Sequence, residues 1–250
     1  MKRVQRLMLF FPFLGLLLTA SMSAAERQEP RLDPFTAKYE LNRGSLKLGR
    51  VEIILELDKR GDYHYSARTT PVGLAAILLN GEVKESSSGT IIRAAVIPHS
   101  YHYIHRSSDN PRSVELSFDW QSMRVTNSLK AGSWSMKIEQ GTQDKFSQQL
   151  SLMLAFAAGS RSVSFAVADG GRTKDYSYQF LGEDQVEVAA GRFQTLKVAR
   201  SKNKRSPNTS LWLAPRLNHL PVIVEKQEKD GPFRMELSSF SWGAPAPLKK

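Results

Sequence analysis

The chain has 250 residues, 35 Lys+Arg against 24 Asp+Glu, and no cysteine. The missing cysteine excludes disulfides, thiolate metal sites, a cysteine nucleophile and lipid attachment through an N-terminal cysteine. The length is enough to bury a core without such staples.

Residues 1–25 carry the three-part pattern of a secretory signal peptide. Lys2, Arg3 and Arg6 form a positive start, Leu7 to Ala20 is an uncharged apolar run, and Ser23-Ala24-Ala25 supplies the small residues of a cleavage site. That run spans 14 residues, short of the roughly 20 that a membrane-spanning helix needs. Pro12 and Gly15 weaken it further as a span. No second apolar run of spanning length follows. The expectation is an exported, periplasmic chain beginning near Glu26, with peripheral membrane contact at most. Without Lys2, Arg3 and Arg6 the mature chain keeps 32 basic against 24 acidic residues, a surplus of eight. For an exported protein this balance points to anionic lipid or to solubility, and not to nucleic acid.

Residues 26–33 read as a flexible tail. Period-two alternation then dominates. Phe35, Ala37, Tyr39 and Leu41 alternate with Thr36, Lys38, Glu40 and Asn42, and Val51, Ile53, Leu55 and Leu57 alternate with Glu52, Ile54, Glu56 and Asp58. Such spacing buries one face of an antiparallel strand and wets the other. Further strands are predicted over 62–69, 82–93, 96–106, 114–120, 133–139, 161–168, 173–181, 184–189, 193–201, 208–213, 220–228 and 233–238. Turn chemistry separates several of them: Arg60-Gly61-Asp62, Asp169-Gly170-Gly171, Gly182-Glu183-Asp184 and Ala190-Gly191-Arg192. This rhythm predicts a mostly β, antiparallel meander curled into a barrel, half-barrel or sandwich, in one domain over 34–242. Residues 243–250 read as a second tail.

Two apolar pieces interrupt the meander. Phe146, Leu150, Met153, Leu154 and Ala157 fall at helical spacing, with Asp144 as N-cap and Gly159 as stop, predicting a helix over 144–158. Leu152 and Phe156 add a second apolar side. Pro71 to Asn80 is the other piece, a short helical turn or a mobile flap bracketed by Gly73 and Gly81. Both pieces either plug the core or lid a groove.

Chemical motifs are sparse. His99, His102 and His105 lie close in sequence, yet on a regular strand His99 and His105 share a face with Tyr101 and Tyr103 while His102 faces away. His99 and His105 would then stand roughly 20 Å apart, too far to chelate one ion. No G-x-S-x-G elbow, H-E-x-x-H, P-loop or dinucleotide fingerprint occurs. His64, His102, Asp119 and Ser86 to Ser88 are the raw material for a hydrolase, with nothing in the sequence to assemble them. The expectation is therefore no catalytic residue, no metal and no cofactor. The basic stretch Arg200 to Arg205 reads either as a solvated hairpin tip or as a contact for an anionic surface.

Several segments resemble the bacterial exported family named domain of unknown function 3108. They are Phe35-Thr-Ala-Lys-Tyr39, Gly61-Asp-Tyr-His-Tyr65, Pro98 with Tyr101 and Tyr103, Asp144-Lys-Phe-Ser147, Gly191-Arg-Phe-Gln-Thr195, Leu211-Trp-Leu-Ala-Pro215 and Asn218-His-Leu-Pro-Val222 through Glu225. They span about residues 33–242. The Leu-Trp-Leu strand followed by Leu-Pro-Val also resembles a hairpin of LolA/LolB-type periplasmic lipoprotein carriers. That second resemblance implies a curved half-barrel with helices over an apolar cavity. It either records fold alone or extends to a shared ligand class.

Two functional expectations follow. One is a non-catalytic envelope protein that binds a lipid or acyl ligand in a groove lined by Leu74, Ile77, Leu150, Met153, Leu154 and Trp212. The other is a structural or regulatory module that binds an envelope protein partner.

Overall fold

In the computed structural model, the described residues are 29–73, 76, 81–107, 111–129, 132–202, 208–229 and 231–243. The predicted signal peptide, most of the 71–80 piece and most of the expected C-terminal tail lie outside them. No helix among the described residues is long and apolar enough to cross a membrane.

The first half of the chain is an eight-strand meander: β1 (Phe35–Arg43), β2 (Leu46–Leu57), β3 (Asp62–Pro71), β4 (Glu82–Ile92), β5 (Ala95–Arg106), β6 (Arg112–Asp119), β7 (Arg124–Leu129) and β8 (Gly132–Lys137). A short strand β9 (Gln143–Asp144) and the helix α1 (Ser147–Ala157) follow. The second half is β10 (Ser162–Ala168), β11 (Thr173–Val188), β12 (Gly191–Lys202), β13 (Thr209–Ala214), β14 (Leu220–Lys226) and β15 (Phe233–Trp242). β15 pairs back onto β1, so the two meanders fuse into one 15-stranded sheet with β8 and β9 at its ends. Among the described residues only the β9–β10 pair is parallel. The sheet is a curled, open half-barrel, with one fully described helix in its concave face, as the alternation predicts.

Register makes that concave face. One cross-strand row runs Phe35, Leu55, Tyr65, Ser87, Tyr101, Leu116, Asn127 and Trp134 through all eight strands of the first meander. Phe35, Leu55, Tyr65, Tyr101 and Leu116 are buried in a single core, and the residues flanking them along each strand point to the outer face.

α1 fills the hollow. Leu150, Met153 and Leu154 enter the main core, which draws on β1–β7 and on β12–β15, while Leu152 and Phe156 enter a second cluster with Val167, Tyr176, Tyr178, Val198, Leu211 and Leu213 of β10–β13. The two apolar sides read in the sequence thus meet two parts of one sheet. Asp144 does serve the helix start, from two residues before the Phe146 cap position. Its Oδ1 accepts the Phe146 and Ser147 amides, each at 2.7 Å, and Ser147 Oγ accepts the Asp144 amide at 3.0 Å. The helix therefore begins at Ser147 and not at 144.

Four details differ from the sequence reading. β7 was not predicted, although Val125, Asn127 and Leu129 alternate inward there. Gly182-Glu183-Asp184 is no turn: β11 continues through it, and the register slips by one residue between Phe180 and Gly182. β8 begins and ends slightly earlier than the predicted 133–139. A second bulge sits in β5, where Ser88 pairs Ser100 but Gly89 pairs Pro98. The extra residue is His99, which is exposed while Tyr101 is buried. His99 does not share the Tyr101 face as a regular strand would require, because the bulge reverses the parity of everything before it.

Candidate functional site

The curl does not close edge on edge. β9 folds onto β5, where Gln143 Nε2 donates to the Val96 carbonyl at 2.9 Å. β6, β7 and β8 therefore project past the seam as an overhang. Trp134 of edge strand β8 reaches the 169–172 turn, close enough that a Cβ on Gly171 would lie 2.8 Å from the indole. Between the overhang and that turn is a pocket of about 360 Å3, at the small end of the range for small-molecule sites.

Its walls come from alternate residues of neighbouring strands. Tyr101 and Tyr103 of β5, Val114 and Leu116 of β6, Leu129 of β7 and Trp134 of β8 make one side, and Ala168 and Gly170 the other. Polar groups sit at defined places. Arg112 and Lys145 bring positive charge and Asp169 negative. Lys145 Nζ lies 4.0 Å from Asp169 Oδ1, whose carboxylate also binds Lys174 Nζ at 2.7 Å and the Tyr176 hydroxyl at 3.0 Å. Burial pushes the Asp169 carboxyl up, but Lys174, Lys145 and Tyr176 outweigh it and hold it below the usual carboxylate range. At the pocket floor Asn127 is 2% exposed, and its Oδ1 has no hydrogen-bond partner. An unmet buried amide oxygen costs on the order of 1–3 kcal/mol. Sequence reading missed Asn127 with its strand. An inward polar residue between Val125 and Leu129 was the signal that could have found it.

Beneath the pocket the same face carries acids. Tyr101 donates to Glu85 Oε1 at 2.6 Å. Burial raises the Glu85 carboxyl, against the Tyr101 bond and the Lys145 charge. Ser87, next along β4, donates to Asp144 Oδ2 at 2.6 Å and shares a 2.9 Å hydrogen bond with Tyr63. Burial lifts Asp144 to about 6, although four hydrogen bonds pull it down.

The residues expected to line a groove are distributed otherwise. Leu150, Met153 and Leu154 are packed core, and only Leu154 also borders a hollow, an open one between β5, α1 and β10. Trp212 is buried; its Nε1 donates to Asp184 Oδ2 at 3.0 Å, and Lys197 lies 4.8 Å from its ring centroid. Leu74 and Ile77 lie outside the described residues. Of the hydrolase raw material, His64 Nδ1 meets Ser88 Oγ at 2.8 Å on the outer face. Asp119 is engaged in its own turn with Gln121 and Ser122. These groups form no triad. Among the described residues no three histidines or acids converge into a metal site.

The fold recurs in a solved structure, a β-barrel-like protein of the DUF1849 domain of unknown function from Brucella abortus. The two are 12% identical with a TM-score of 0.59, over 85% of this chain and 98% of that one. A protein from Parabacteroides distasonis described as a lipoprotein, and one from Bacteroides fragilis described as an exported protein with a YmcC-like fold, align at 10% identity and a TM-score of 0.36. Each match covers 85% of this chain and 97% of the other. No curated protein matches the chain. The model of the family described as protein of unknown function (DUF3108) matches residues 35–238, from the first strand to the last, and the chain belongs to that family.

Proposed function

We propose that the protein is a non-catalytic, exported binding protein of the bacterial envelope, which holds a lipid or acyl ligand in the pocket under the β6–β8 overhang. The observation that carries this reading is the pocket itself, about 360 Å3 of aromatic and aliphatic wall with two cations at its margin. An acyl chain lies along Val114, Leu116, Leu129 and Trp134. Its polar end meets Arg112 and Lys145. The signal-peptide pattern of residues 1–25 supports a periplasmic setting, where lipids are the abundant amphiphiles. The ligand site sits beside the helix and not beneath it, because the inner faces of α1 are consumed by packing.

The test is native mass spectrometry of protein purified without detergent, with titration of a fluorescent fatty-acid probe. Co-purifying lipid, or micromolar probe binding that Leu129→Glu abolishes, is expected. No lipid and no probe binding would remove the reading.

A second reading rests on the edge strand. β8 pairs with β7 alone, and five of its six residues are exposed. A free edge of this kind accepts a strand from an envelope protein partner. Cross-linking from Ser133 or Ser135 in cells to one defined protein would favour it over ligand carriage.

A further inference from the structure

A second, smaller pocket lies on the other side of α1. It measures about 160 Å3 and is bounded by Gln149 and Leu152 of the helix, Arg200 and Thr209 at its polar end, and Leu211 and Met235. The guanidinium of Arg200 is held from three sides, by Thr209, the Tyr176 ring and the buried Tyr178 hydroxyl. Its Nη2 donates to Thr209 Oγ1 at 3.1 Å, and its Cζ lies 4.9 Å from the Tyr176 ring centroid. The buried Nε has no acceptor. No carboxylate among the described residues forms an ion pair with Arg200, and the sequence from Ser201 to Asn208 contains no acid.

A partly buried cation beside apolar walls is costly unless an anion compensates it. Arginine presents five donors in a planar fork that matches phosphate or carboxylate oxygens two at a time. Here Thr209 and the Tyr176 ring hold the guanidinium beside the hollow, with its terminal nitrogens as the donors for an oxyanion. A hollow of this size holds roughly five waters' share of liquid, room for one oxyanion and a short apolar substituent against Leu211 and Met235.

We propose that Arg200 and Thr209 form an oxyanion-binding site, separate from the overhang pocket, that takes a phosphate or carboxylate group. The site gives the basic stretch beginning at Arg200 a specific role at its first residue: the side chain is turned inward toward α1 and does not belong to a solvated tip.

Inorganic phosphate, hexyl phosphate and hexanoate serve as probes, titrated into the full mature chain by calorimetry and followed for the phosphates by 31P line width. Saturable binding to the wild type is expected, weakened at least tenfold by Arg200→Gln and less by Arg200→Lys, which keeps the charge but loses the fork. Hexyl phosphate binding tighter than inorganic phosphate assigns the anion to an organic phosphate; equal affinity assigns it to free phosphate. Should Arg200→Gln fail to fold, Thr209→Val, which frees the fork, is expected to weaken binding severalfold. Absence of binding to the wild type, or unchanged binding in a folded Arg200→Gln or Arg200→Lys, would overturn the proposal. Leu129→Glu in the overhang pocket leaves this binding untouched, so this site and the acyl site fail independently.

Discussion

Ser87 on β4 hydrogen bonds at 2.6 Å to Asp144, 57 positions later in the chain, and so ties the first meander to the start of the helix that fills it. The same carboxylate holds the Phe146 and Ser147 amides, and the Ser87 hydroxyl meets Tyr63. Four elements, β3, β4, β9 and α1, therefore share one buried acid.

That acid makes stability depend on pH in a direction opposite to the usual carboxylate. Its folded value is raised from an ordinary 3.8 to about 6. The folded state therefore binds the proton more tightly than the unfolded chain, and the associated stabilisation is complete below about 4 and gone above about 6. A displacement of this size corresponds to roughly 3 kcal/mol. Urea unfolding between pH 4 and 7 should show the wild type losing up to about that much relative to Asp144→Asn, whose amide does not titrate. Parallel pH profiles for the two proteins would contradict the assignment.

The close approach of β5 to Gly89 yields a sharper prediction. A Cβ at Gly89 would stand 2.1 Å from the Ile97 carbonyl oxygen, and backbone on both sides of the bulge leaves no flexible side chain to move away. Gly89→Ala should cost roughly 3 kcal/mol or more, measured by chemical denaturation. If the variant is as stable as the wild type, β4 and β5 do not pair in this register.

Gly171 reports on the overhang. Its φ is +78, which an L side chain rarely adopts, and an added Cβ would strike the Trp134 ring at 2.8 Å. Gly171→Ala should cost about 1 kcal/mol or somewhat more and push Trp134, already 39% exposed, further into water. A red shift of the emission is expected, absent when Trp134→Phe is the background. An unshifted spectrum would mean that Trp134 does not rest on the turn.

Most of this fold is legible in the sequence because sheet burial is local in register. Phe35, Ala37 and Tyr39 announce a buried face whatever pairs with them. What escaped detection depends on partners distant in sequence. His99 faces out because of a bulge at which the Ile97 backbone approaches Gly89, on another strand, where a Cβ would not fit. β7 has weak apolar alternation because Asn127 occupies an inward position, and that position gains meaning only when β6 and β8 place Leu116 and Trp134 beside it. Arg200 looked like part of a basic tip, since nothing local reveals that Thr209 and the helix enclose it. The ligand-lining role expected of the helix face came from its two apolar sides, which a curled sheet uses for packing on both.

The last prediction separates a core helix from a lid. A lid residue loses little stability when truncated, because its apolar surface is wet part of the time. A core residue loses the transfer energy of its methylenes and pays for the cavity left behind, about 2–5 kcal/mol for Leu to Ala. Leu150 faces the larger cluster, which draws on both meanders, and Leu152 the smaller one on β10–β13, and both are essentially inaccessible. Leu150→Ala and Leu152→Ala should each fall within that range by urea denaturation. Their double variant should lose about the sum, because the two side chains pack in different clusters and their effects add when no partner is shared. Losses below about 1 kcal/mol at both positions would make α1 a cover that opens, and would return the ligand site to the space beneath it. Loss at Leu152 alone would leave α1 anchored on β10–β13 with its 150 side free to open.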